Sequence, residues 1–355
     1  MNRIIIDNVK IGVKYQPYIV AEMSANHNGK IENAFKLIKM AKNCGADAVK
    51  IQTYRPDTIT IKSNKEDFKI KDGLWKGKTL YDLYEWAHTP WEWHKSIFEY
   101  AKKVDMTIFS SPFDKSAVDF LEDLNCPAYK IASFELVDLP LIEYVASTKK
   151  PVIMSTGMAN FEEIEEAVSV CRDSGCKEIA LLHCVSAYPA NPSEYNLRTI
   201  ADLISKLDVV VGLSDHTLDN TTAISSISQG ASIIEKHFTL DRNGGGPDDS
   251  FSLEKDGLQD LCLSTKTAWS ALGEVNYKKT KSEKENFVFR RSIYFVKDLM
   301  KGEIIKEEHI KSIRPGFGLK PKFINQILGL KVSQNISRGT AVKEDHFQNF
   351  KKDNL

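Results

Sequence analysis

The sequence predicts a (β/α)8 barrel followed by a small second module. Three observations point there. Within residues 1–277, eight short apolar runs alternate with segments of helical period. Nearly every run ends in polar side chains able to bind anions, move protons or hold metals. After the polar stretch Lys278-Lys-Thr-Lys-Ser-Glu-Lys-Glu-Asn286 the pattern changes to short strand-like pieces and turns. A doubly wound open sheet is the runner-up, but it does not normally need eight successive repeats with polar groups at the strand ends.

Taken in order, Ile4 to Tyr15 predicts a β-hairpin covering one end of the barrel. The eight expected strands are Tyr18–Glu22, Ala48–Gln52, Met106–Ser110, Ala128–Ala132, Val152–Thr156, Glu178–Cys184, Val209–Ser214 and Ser232–His237. They read as apolar throughout because a parallel sheet is buried on both faces. Helices are expected at Glu32–Asn43, Trp91–Val104, Lys115–Leu124, Pro140–Ser147, Phe161–Asp173, Leu197–Lys206, Asp219–Gln229 and Leu258–Leu272. The connection 53–90 is too long for a turn and predicts a lid or recognition element on the active-site face. Residues 1–277 are expected to form the barrel, 278–289 a linker and 290–355 the second module, with Ile313-Arg-Pro-Gly-Phe-Gly-Leu319 as a loop.

Composition narrows the function. Hydrophobic residues at 42% and charged residues at 27% of 355 are ordinary for a globular protein. The 48 basic residues balance 48 acidic ones, so no nucleic-acid or membrane-surface face is expected. No run reaches the length of a membrane span and the start lacks a long apolar core, which predicts a cytoplasmic protein. The six cysteines match no zinc or disulfide pattern and read as reduced, packed thiols.

The strand ends supply the chemistry. Val209-Val-Val-Gly-Leu-Ser-Asp-His216 and Ser232-Ile-Ile-Glu-Lys-His-Phe-Thr239 each deliver a histidine, and His216 and His237 on adjacent strands could share a divalent metal. Glu22 ends the first strand, Lys50 and Gln52 the second, and Ser110 with Ser111 the third. Lys130, Ser133 and Glu135 end the fourth, Ser155 the fifth, and the run from His183 to Tyr188 the sixth. Lys50, Lys130 and Lys236 beside several serines describe a phosphate and carboxylate site, because a buried ammonium needs an anion to meet it. The glycine-rich Asn243-Gly-Gly-Gly-Pro-Asp-Asp249 matches no nucleotide motif; of its carboxylates, Asp248 or Asp249 could orient a sugar hydroxyl or a water.

Ala21-Glu-Met-Ser-Ala-Asn-His-Asn-Gly29, Val49-Lys-Ile-Gln52, Tyr129-Lys-Ile-Ala-Ser133, Ser155-Thr-Gly-Met158, Gly212-Leu-Ser-Asp-His216, Glu235-Lys-His-Phe-Thr239, Gly246-Pro-Asp248 and Arg314-Pro-Gly316 together resemble the sialic acid synthases across nearly the whole chain. Among the branches of that family, the run from Gly73 to His94 looks most like the synthases that make pseudaminic acid. The resemblance implies a transferase condensing phosphoenolpyruvate with 2,4-diacetamido-2,4,6-trideoxy-altropyranose, with a divalent metal (Mn, Mg or Co) on His216 and His237. It places Lys50, Lys130, Ser133, Ser155, Ser186 and Ser214 on phosphoenolpyruvate, with Ser110 nearby. It further places Glu135 and Asp248 at the metal's water or the sugar's carbonyl end, Gln52 and Tyr188 on the sugar, and Glu22 as acid or base. The second module resembles the family's antifreeze-like (SAF, β-clip) domain, whose arginine, Arg314 here, would reach the N-acetyl group in the partner's barrel of a swapped homodimer. Ser186 departs from the family, where neuraminate-making members commonly carry Asn. An N-acetylneuraminate or legionaminate synthase, another barrel aldolase and a non-enzymatic sugar-binding protein are the alternatives; a phosphorylated acceptor would require a second cationic cluster, which the sequence does not offer.

Overall fold

The computed structural model describes residues 3–348; the first two residues and the last seven of the 290–355 module lie outside the described residues. The chain divides into two compact units, Met1–Gly273 and Glu274–Leu355.

In the first unit a hairpin, β1 (Ile4–Ile6) and β2 (Val9–Ile11), buries Ile4, Ile6 and Ile11. It caps the N-terminal ends of the barrel strands, where the Ile5 amide donates to Glu178 and Thr107 Oγ1 to Asp7. The strands are β3 (Tyr18–Glu22), β4 (Ala48–Thr53), β5 (Thr107–Pro112), β6 (Tyr129–Ile131), β7 (Val152–Ser155), β8 (Ile179–Cys184), β9 (Val210–Asp215) and β10 (Ile233–His237). Among the described residues these eight close into a parallel barrel in the order β10-β3-β4-β5-β6-β7-β8-β9. The expected architecture is therefore present, with strand limits moved by one or two residues, as hydrogen-bond pairing rather than hydropathy decides them.

The helices between strands are α1 (Ile31–Cys44), α4 (Trp91–Lys103), α5 (Lys115–Asp123), α6 (Leu139–Ser147), α7 (Phe161–Asp173), α8 (Arg198–Leu207), α9 (Thr221–Ile227) and α10 (Lys255–Leu272). Several starts are written in the sequence: Asp114 accepts from the Ser116 and Ala117 amides, and Asn160 forms a capping box with Glu163. The long 53–90 connection holds two helices that hydropathy did not reveal, α2 (Pro56–Ile59) and α3 (Leu80–Ala87). The second of these begins at a Thr79/Asp82 capping box. No helix among the described residues is long and apolar enough to cross a membrane, and all six thiols are buried and unpaired.

The second unit is built on an antiparallel pair, β11 (Ser292–Phe295) with β12 (Ile310–Ile313), around Ile293, Phe295, Leu299, Ile305, Val332 and Val342. Most of its other pairings are single bridges, such as Leu299 to Ile336. Arg314 is exposed on the loop after β12, which Ser292 pins by donating to the Pro315 carbonyl and accepting from the Gly318 amide.

Successive residues of a strand face opposite sides, so each barrel strand sends one set of polar groups inward and another toward the helices. Lys236, expected at the anion site, belongs to the outward set. Its ammonium lies 2.6 Å from Asp215 Oδ2 and donates to the carbonyls of Thr217 and Asp219. Both partners of this pair are at most 2% exposed. Replacing Lys236 by Met strands the Asp215 charge and should cost about 3–5 kcal/mol of stability. Urea denaturation of Lys236→Met and of the double variant Lys236→Met/Asp215→Leu checks this: the single variant falls, and the double recovers part of the loss.

Candidate active site

The inward set meets at the C-terminal mouth of the barrel. Parallel registers put Glu22 beside Lys50 and beside His237, and Ser214 beside Glu235. Lys50 Nζ sits 2.9 Å from Glu22 Oε2 and 3.7 Å from Glu235 Oε1, and Lys130 Nζ lies 3.9 Å from the same Glu235 oxygen. Ser214 donates to Glu235 at 3.3 Å, and Gln52 Nε2 donates to both Glu22 and Ser24. Glu235, left without a role by the sequence reading, is the hub of this cluster. Its strand position, two residues before His237 and hence on the same side, was the available signal.

Burial sets the protonation states. It pushes Glu22 up to about 7, against the pull of Lys50 and with help from Glu235. Burial alone would raise Glu235 as well, but Lys130 and Lys50 outweigh it and hold the group low. Lys50 stays high because Glu22 and Glu235 overcome its desolvation, whereas desolvation wins at Lys130 and lowers it. Two lysines thus face one firmly ionised carboxylate and one that is poised near neutrality. The remainder is positive, which suits a small polyanion.

Next to Lys130 lies a cradle of hydroxyls. Ser133 Oγ accepts from the Gly157 amide at 3.2 Å, and Ser155 Oγ is buried without a hydrogen-bond partner. A Cβ on Gly157 would fall 2.1 Å from Ser186 Oγ and 2.8 Å from Ser133 Oγ, so glycine is what lets both hydroxyls close over this backbone. Ser110 does not join them. It faces outward, 2.6 Å from Thr53 Oγ1, which also contacts His94 of α4. Ser111, one residue on, is the inward hydroxyl and accepts from Lys50 at 3.2 Å.

His216 and His237 lie side by side with ring centroids 5.6 Å apart. His216 Nδ1 meets the Val185 carbonyl at 2.8 Å, an arrangement that leaves Nε2 with the free lone pair. His237 is kept well below its ordinary pKa by burial and by His216 and the lysines. Its Nδ1 is buried without a hydrogen-bond partner, 3.8 Å from Asp248 Oδ2. Burial opposes charge on His216, but Cys184 and the Val185 carbonyl outweigh it and raise the imidazole above its ordinary value. No group of three or more His, Cys, Asp or Glu that could hold a metal occurs among the described residues. Two imidazoles with an orphaned nitrogen fit a divalent ion whose other positions are filled from outside the protein.

The second carboxylate of the glycine-rich loop is spent on structure: Asp249 binds Thr239, the Gly246 amide and Asn28. The Tyr188 ring lies tilted against His216, with centroids 4.4 Å apart. Glu135 stands beyond Lys130 with Oε2 buried and unpartnered, and burial raises it to about 7. Unpartnered buried atoms of Glu135, Ser155, Glu235 and His237 in one place mark a site completed by a ligand. Arg314 lies in the second unit. Glu135 is protonated in the folded chain up to about pH 7, while its unfolded form ionises near 4.5. The stability it lends is full below that lower value and is lost as the pH rises through 7. Glu135→Gln should therefore narrow the fall in urea midpoint between pH 5 and pH 8 relative to the unmodified protein.

A profile of the NeuB family matches residues 37–277, and a SAF domain profile matches 290–348. A pseudaminic acid synthase of Campylobacter jejuni subsp. jejuni is 46% identical over 331 residues, covering 93% of this chain and 96% of that protein. A pseudaminic acid synthase of Helicobacter pylori is 45% identical over 94% of this chain and 98% of its own length. The crystal structure of an N-acetylneuraminic acid synthetase from Leptospira borgpetersenii, solved with citrate, superposes with a TM-score of 0.72 at 32% identity, over 80% of this chain and 95% of that one. The barrel, the ionisable groups at its mouth and these likenesses lead to one conclusion: the chain belongs to the NeuB family, and a SAF domain follows its barrel.

Proposed function

We propose that this enzyme condenses phosphoenolpyruvate with 2,4-diacetamido-2,4,6-trideoxy-altropyranose to give pseudaminic acid and phosphate. The observation that carries the reading is the charge cluster at the barrel mouth, where Lys50 and Lys130 face the hydroxyl cradle on one side and the histidine pair on the other. Similarity to two pseudaminic acid synthases at 45–46% identity supports the choice of sugar.

Lys130, Ser133, Ser155 and Ser186 grip the phosphate and carboxylate, with Lys50, Ser111 and Ser214 beside them. Ser186 is shorter than the Asn of neuraminate-making relatives, so it acts as part of the Gly157 cradle rather than alone. His216 and His237 would hold a divalent metal (Mn, Mg or Co), and such an ion would supply Lewis acidity for activating the open-chain sugar's aldehyde. Gln52, Tyr188 and Asp248 orient that sugar so that C3 of phosphoenolpyruvate meets its C1. Alignment of two substrates is itself worth roughly 7–11 kcal/mol of barrier. Bond formation leaves C2 cationic; water adds there, and the tetrahedral centre releases phosphate by C–O cleavage. Glu22, poised at about 7 between Lys50 and Gln52, exchanges the proton of that water. Glu135 steadies the same region in its protonated form. Arg314 is supplied by a second copy in a swapped homodimer and contacts an N-acetyl group. Phosphoenolpyruvate as donor and six unpaired thiols both suit the cytoplasm.

Phosphate release from phosphoenolpyruvate with Mn²⁺ tests the reading, using the altro sugar, its manno epimer with the legionaminate pattern, and N-acetylmannosamine. Release is expected with the altro sugar and should disappear on chelation or in a folded His237→Ala variant. Preference for another sugar would overturn the substrate, and undiminished release by His237→Ala would overturn the role of the histidine pair.

A further inference from the structure

The segment 70–78, at the tip of the long connection after β4, is closed on itself: the Ile70 amide donates to the Lys78 carbonyl at 2.9 Å and the Gly77 amide to Ile70 at 3.0 Å. Gly73 and Gly77, with φ of +81° and +92°, take the left-handed turns that this requires. From 71 to 77 every side chain is exposed except Trp75. The indole Nε1 donates to the Pro247 carbonyl at 3.0 Å, beside Asp248, and its ring lies 5.8 Å from that of Tyr188. Tyr188 follows β8, which stands four places from β4 in a barrel of eight, so the loop crosses the mouth to its far side. Tyr188 in turn covers His216 and meets Phe251 at 5.2 Å, and Phe251 lies against His237 at 5.1 Å.

Resting on the condensation proposed above, we infer that Trp75 is a specificity-determining residue that closes the mouth over the acceptor sugar and selects for its deoxygenated C6 end. The reacting C1 must point inward, to the histidine pair, because phosphoenolpyruvate occupies the cradle around Lys130 and Gly157. The far end of the sugar chain is then the part that meets the roof. The roof offers carbon there: the single donor of Trp75 is already used by Pro247. A methyl group loses nothing against the Trp75 ring, while a hydroxyl in its place gives up water and finds no free donor or acceptor on that ring.

The test compares Trp75→Ala and Trp75→Phe with the unmodified enzyme, measuring phosphate release with the 6-deoxy altro sugar and with its 6-hydroxy analogue. A pocket contact of this kind discriminates by roughly 10–200-fold. Trp75→Ala should lose most of that ratio, through a higher KM for the 6-deoxy sugar, with the KM for phosphoenolpyruvate unchanged. Trp75→Phe keeps an aromatic face and should keep most of the ratio even though it loses the bond to Pro247. Equal losses for both sugars in Trp75→Ala, or an unchanged ratio, would overturn the inference while leaving the condensation standing. No release by the unmodified enzyme with the 6-deoxy sugar would overturn both.

Discussion

Lys50, Lys130, Glu22 and Glu235, each no more than 5% exposed, share the mouth of the barrel, and the arrangement around them follows from the need to keep those charges together. An ion withdrawn from water costs several kcal/mol even after relaxation. Glu235 meets that need for both lysines, and Glu22 meets it for Lys50 while itself rising to about 7. The balance stays incomplete at Lys130, which lies 3.9 Å from Glu235 and donates its hydrogen bond to the Ile131 carbonyl. An anion supplies what is missing, and the serines of the Gly157 cradle stand where such an anion would be held.

A parallel barrel can carry this cluster because its strand pleat separates two populations of polar residues that are adjacent in sequence. On β9 and β10, Ser214, Glu235 and His237 serve the mouth, while Asp215 and Lys236 form a sealed pair on the helix side. On β4 and β5, Lys50, Gln52 and Ser111 turn inward, and Ser110 bonds to Thr53 next to His94. The outward pairs fix the strands and the inward groups are free to bind, so rigidity and chemistry come from the same segments.

Much of this was legible in the sequence. Near-continuous apolar runs at regular spacing define the eight strands, and polar strand ends locate the site. What escaped has physical reasons. Hydropathy does not show which side of a strand a polar residue takes, so Ser110 stood in for Ser111, and Lys236 was grouped with Lys50 and Lys130 although Asp215 claims it. Glu235 was visible but had no role, because a carboxylate between two lysines emerges only when strands are brought together. The helix Leu80–Ala87 was hidden in a charged connection, although its capping box was readable. The reach of Trp75 across the mouth depends on a closed tip between two left-handed glycines, and no local pattern encodes that crossing.

The central claim is that the buried lysines of the mouth are held ready for phosphoenolpyruvate before any sugar arrives. Calorimetric titration of phosphoenolpyruvate into the unmodified enzyme and into Lys130→Met, without acceptor, measures this most directly. The account predicts that affinity falls about tenfold to hundredfold, the worth of a charge-assisted hydrogen bond, while the urea midpoint does not fall. Unchanged affinity in Lys130→Met would contradict it.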